Sequence, residues 1–108
     1  MKLKDINYTG IFFNDGMHMT WNYGLPRKYP SNIQSGELAE VTVIGKYEDD
    51  QVACWVVKYG RYTHQPSGTL LHVTTKVTNG GKAVMSGQRA TKNGYEKIKS
   101  FKLKGVWR

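Results

Sequence analysis

The feature that most constrains this chain is a two-residue alternation of apolar and polar side chains, broken every few residues by turn formers. Met17, Met19, Trp21 and Tyr23 alternate with His18, Thr20 and Asn22, the pattern of a strand that buries one face. Tyr8–Phe13 reads as the strand before them, and Asn14-Asp15-Gly16 as the tight turn of the hairpin. Glu40–Ile44 and Gln51–Tyr59 make a second hairpin around the acidic turn Glu48-Asp49-Asp50. In its return strand Val52, Cys54 and Val56 share one face and Ala53, Trp55 and Val57 the other, which predicts burial on both sides. Thr69–Val77 reads as a further strand. Asn79-Gly80-Gly81 is the strongest local hairpin signal and predicts a return strand over Lys82–Met85.

Two stretches are less regular. Residues 24–36 hold Pro26, Pro30, two glycines and two serines, and read as a long loop. Gln88–Gly94 is polar and glycine-broken, and the spacing of Tyr95, Ile98 and Phe101 suits one or two helical turns. Phe101 and Leu103 against Lys102 and Lys104 favour a last strand ending near Trp107. Lys97 and Lys99 have the opposite phase, so a single continuous strand requires a bulge near Ser100. The reading adopted is a short helix or irregular segment followed by a strand. The expected fold is mainly β: a small antiparallel barrel or sandwich, SH3-like or OB-like in size, with at most one short helix, in a single domain over residues 1–108.

Composition narrows the class. One cysteine, Cys54, excludes an internal disulfide framework and a cysteine-rich zinc site. The longest apolar run, Val52–Val57, is far too short to span a bilayer. The opening Met1-Lys2-Leu3-Lys4-Asp5 is basic but leads into no apolar stretch, so the expectation is a cytoplasmic protein without a membrane partner. The formal net charge is +8. It is placed unevenly: residues 1–50 carry 5 basic and 7 acidic side chains, residues 51–108 carry 11 and 1. That asymmetry excludes an acidic mimic of DNA and suggests a polyanionic partner.

Two segments carry this expectation. Lys58-Tyr59-Gly60-Arg61-Tyr62-Thr63-His64 interleaves cations, which displace counterions from phosphates, with aromatic faces on which bases stack. The C-terminal stripe Lys92, Lys97, Lys99, Lys102, Lys104 and Arg108, with Trp107 beside it, has the charge density that phosphate tracking needs. An edge strand guarded by lysines would carry the same residues. Arg27-Lys28-Tyr29 could add a third contact from the proline-rich loop.

Enzyme signals are poor. Cys54 sits inside the apolar run and reads as a core thiol. His18, His64 and His72 lack paired metal-ligand spacing, and no phosphate-cradling glycine loop is present. The cluster Glu48-Asp49-Asp50 reads as a solvent-facing turn before it reads as a cation site. One catalytic alternative, a metal-independent ribonuclease, would combine His64 with Lys58 and Arg61 and take Glu48 or Glu96 as partner acid. The favoured reading is a non-catalytic module without cofactor or metal that binds RNA or DNA, single strands above duplexes. Phosphates would meet Lys58, Arg61, Lys92, Lys97, Lys99, Lys102, Lys104 and Arg108, and bases would meet Tyr59, Tyr62 or Trp107. The alternative is a protein-binding inhibitor or adaptor acting on a nucleoprotein machine, its basic face set against an acidic or nucleic-acid-binding surface.

Overall fold

The computed structural model of the protein describes residues 8–24 and 28–108; the basic opening and Arg27 lie outside them. The alternation becomes six strands: β1 (Tyr8–Phe13), β2 (His18–Tyr23), β3 (Leu38–Glu48), β4 (Val52–Lys58), β5 (His72–Val77) and β6 (Glu96–Trp107). A helix, α1 (Ala83–Asn93), connects the last two. The strands pair antiparallel in the order β1-β2-β5-β4-β3-β6, and β6 returns to β1. The fold is a closed barrel, which decides between the two expected architectures. Six strands enclose a lumen narrow enough for side chains to fill. Ile11, Met19, Trp21, Val41, Val43, Val57, Leu71, Val73 and Trp107 fill it.

β4 is buried on both faces, as its apolar run predicts, because α1 covers the barrel there. Val57 points into the lumen, while Cys54 and Val56 meet Leu70 and Ala90 in a second cluster beneath the helix. Burial pushes the Cys54 thiol up to about 11, and it stays protonated.

The predicted strand over Lys82–Met85 is corrected: these residues lead into and begin α1. The turn itself has the expected chemistry. Asn79 and Gly80 both have positive φ (52° and 78°), and Gly81 N–H donates to the Thr78 carbonyl at 2.9 Å. The chain leaves this turn as a helix because the buried stripe of α1 is Ser86, Gly87 and Ala90, three small residues at helical spacing. Small side chains bring the helix axis close to β5. A Cβ on Gly87 would lie 2.1 Å from Cε1 of His72, so only glycine admits that ring. The Thr74 and Ser86 hydroxyls meet at 2.8 Å on the same interface.

A helix does precede the last strand, but it is α1 and ends at Asn93; the helical turns expected over Tyr95–Phe101 are corrected to strand. β6 runs unbroken from Glu96, and the bulge that continuity requires is present: Val43 faces Phe101 but Gly45 faces Lys97. The acidic turn ties the flank of α1 to the barrel. Asp49 accepts from the Gln51 and Val52 amides, the Tyr47 hydroxyl and Arg89 of α1. Those donors, the Gln51 amide first, hold its carboxyl well below the usual carboxylate range.

Candidate nucleic-acid interface

Register places the basic residues. Partners in an antiparallel pair project to the same side of a sheet. Val43 and Val57 face each other in the lumen, so the next pair, Thr42 and Lys58, projects outward. Thr42 also faces Lys102 on β6. Lys58, Thr42 and Lys102 therefore form a row across β4, β3 and β6, and two inter-strand steps set the lysine Cα atoms about 10 Å apart. Lys104, two residues along β6 from Lys102, projects to the same outer side. Lys97 faces Gly45, and Lys99 lies in the bulge, both exposed. Lys92 stands in the last turn of α1, where a cation complements the helix dipole.

Folding neutralises part of the sequence asymmetry, because β3 and the turn after it lie against β5, α1 and β6 of the second half. Glu40 pairs with Lys102 at 3.4 Å, Glu48 with Lys76 at 3.2 Å and Asp49 with Arg89 at 2.8 Å. In each, an acid of the first half meets a base of the second. Glu96 pairs with Lys46 at 3.4 Å. Lys58, Arg61, Lys97, Lys99 and Lys104 have no ion-pair partner among the described residues. Only Gly105, Val106 and Trp107 of β6 pair with β1, so among the described residues the lysine-bearing stretch has β3 as its one partner strand. Edge protection by these lysines is thus compatible with the barrel's closure.

The aromatic members of the sequence reading are placed differently from the lysines. Trp107 is fully buried, which corrects its assignment as a base-stacking residue. Tyr59 and Tyr62 flank a two-residue turn, Gly60-Arg61, and exchange backbone hydrogen bonds at 2.9 and 2.8 Å. Their rings are half-buried. Tyr59 meets Trp107 edge-on at 5.4 Å, and Tyr62 meets Trp21 edge-on at 5.2 Å. Together these rings cap one end of the lumen. Arg61 lies 5.6 Å above the Tyr62 ring, its charge at the surface. Arg108 closes the β1–β6 seam through its backbone, which exchanges hydrogen bonds with Gly10.

The Tyr59–Tyr62 hairpin keeps His64 near Lys58 and Arg61, but the partner acids of the ribonuclease set are not brought to them. Lys58 faces Thr42 near one end of β3, whereas Glu48 lies six residues further along the same strand, about 20 Å away. Glu48 and Glu96 are each paired with a lysine, and His64 bonds Thr63 Oγ1 through Nδ1 at 2.9 Å.

A cleft that sequence reasoning missed lies on the other side of α1. About 300 Å³ in volume, it is lined by Tyr23, by the 65–69 loop, by His72 and by Val84 and Gln88. His72 Nδ1 lies 2.7 Å from the Leu70 carbonyl; the carbonyl only accepts, so Nδ1 carries the proton and Nε2 a lone pair. Burial lowers the His72 pKa and keeps the ring neutral near pH 7. His18, on the neighbouring strand, is lowered by burial and by the proximity of His72. No helix among the described residues is long and apolar enough to cross a membrane. Comparison of the chain with protein-family models, with curated proteins and with solved structures returns no match.

Proposed function

We propose that this barrel is a non-catalytic nucleic-acid-binding module whose outer β4-β3-β6 face tracks phosphates. The observation that carries the reading is the cross-strand row Lys58–Thr42–Lys102, continued along β6 by Lys104, Lys99 and Lys97. Four of these five lysines have no acid partner among the described residues, and the exposed pair of Lys102 with Glu40 holds it weakly. Phosphates are the natural occupants of such a row, because each contact releases a condensed counterion. A single strand suits the face better than major-groove readout. α1 lies flat on the barrel, and its exposed flank adds Lys92 but no array of cations.

The salt dependence of binding to a labelled single strand tests this. Five phosphate contacts give a slope of log K against log salt of about −3.5, so affinity falls about a hundredfold between about 50 and about 200 mM salt. No saturable binding to RNA or DNA at low salt overturns the reading. The basic face then belongs to a protein partner, and Leu38, 86% exposed where β3 begins beside Lys104, becomes the first residue of that surface to mutate.

A further inference from the structure

The cleft between α1, β2 and the 65–69 loop has a chemistry of its own. None of its lining residues carries a full charge, in contrast to the lysine face. Its apolar surface comes from Tyr23 and Val84, which are 55% and 45% exposed, two of the large apolar side chains that the barrel leaves uncovered. Its polar surface is of two kinds. Gln65 is committed: Nε2 donates to the Thr20 carbonyl at 2.9 Å, and Oε1 accepts from Ser67 at 3.1 Å. With Gly68 N–H on the Gln65 carbonyl and Gln65 N–H on the Thr69 carbonyl, that wall is fixed before any ligand arrives. His72 and Gln88 keep capacity in hand. His72 is only 8% exposed, and its Nε2 lone pair has no partner among the described residues. The Gln88 amide, which both donates and accepts, bonds no described residue.

A fixed cleft with an exposed ring, one buried acceptor and one free amide fits a flat, neutral ligand with a mixed hydrogen-bonding edge. We propose that it takes a nucleobase, Tyr23 against the base plane, with His72 Nε2 and Gln88 on the base's polar edge. Phosphate has no place inside, because no cation lines the cleft. Lys92 follows Gln88 by four residues on the same flank of α1 and meets the phosphate next to the base. The inference rests on the nucleic-acid reading for the source of the base alone; a free nucleoside offers the same edge.

Nuclear magnetic resonance separates the possibilities, with the Gln88 side-chain amide and the His72 ring protons as reporters. The probes are the four free ribonucleosides, a short mixed-sequence single strand and an abasic strand of the same length. The expected result is that at least one nucleoside and the mixed strand shift both reporters, while the abasic strand binds without shifting them. Gln88→Ala and Tyr23→Ala, both at accessible positions, should each weaken the mixed strand about tenfold and leave its salt slope unchanged. Lys92→Gln should weaken the strand and leave the nucleoside untouched. Nucleoside shifts without any strand binding uphold the cleft, make the free nucleoside its ligand and remove the nucleic-acid reading. Salt-dependent strand binding that leaves both reporters still, with no nucleoside moving them, overturns the cleft and leaves the lysine face standing. Stillness under all three probes, with or without strand binding, is a refutation of the base pocket.

Discussion

At the scale of single residues, two histidines set the acid response of the fold. His18 and His72 are both held below the ordinary histidine value by burial, so each folds in its neutral form. Between the folded and unfolded values the unfolded chain binds more protons. Their contribution is therefore complete above about pH 6.5 and is lost as pH falls toward the folded values. Urea midpoints should be flat above neutrality and drop as pH falls below about 6.5. His18→Phe keeps a ring against Tyr8 and Phe12 and should remove part of that slope. A slope identical in the variant would assign the whole effect to His72. Asp49 acts in a lower window, because its depressed carboxyl costs stability only below about pH 4. Cys54 is a different kind of residue test. A buried thiol raised to about 11 should resist aromatic disulfide reagents in the native protein and react at once in urea. Cys54→Ser should fold with a loss of about 1–3 kcal/mol and bind as the parent does.

At the scale of elements, the strands are legible in the sequence and the position of the helix is not, for one physical reason. Strand burial here uses large side chains, so Met19, Trp21, Val41, Val43 and Val57 announce their faces by alternation. The buried stripe of α1 is Ser86, Gly87 and Ala90, which carries helical spacing but almost no hydrophobic signal. The preceding Asn79-Gly80 turn has hairpin dihedrals and points to the wrong successor. Continuity of β6 is legible only as a condition, a bulge near Ser100, since no local pattern shows whether the partner strand will accept one. Gly87→Ala measures how much the close helix approach matters. Alanine gains about 0.8–1 kcal/mol of helix propensity, but its methyl would strike the His72 ring beneath it. Overpacking typically costs about 1–3 kcal/mol, so the variant should lose stability in urea titrations despite the better helix former. A more stable variant would mean that α1 rides higher on β5 than the geometry indicates.

At the scale of the whole molecule, barrel closure makes neighbours of residues that the sequence keeps far apart. Lys58 and Lys102 belong to separate segments in a linear reading, and Thr42, which joins them, carries no charge to draw attention. The cleft likewise takes Tyr23, Gln65, His72 and Gln88 from four elements or loops, and no spacing rule connects them. Total charge is therefore readable from composition, and its partition into a paired side and an unpaired side is not. That partition can be tested against net charge alone. Lys58→Gln with Lys104→Gln removes two charges from the lysine row. Lys76→Gln with Lys82→Gln removes two from the opposite end, where Lys76 is held by Glu48 and Lys82 precedes α1 beside the Gln51 turn. Both variants have the same net charge, so a long-range field weakens binding equally in each. Local phosphate contacts do not. The first pair should make the single-strand salt slope shallower by about 1.4 and the loss uniform across sequences, while the second leaves the slope within about 0.3 of the parent. Equal slopes in the two variants would reduce the row to a share of the overall field, and the β4-β3-β6 face would lose its claim to the strand.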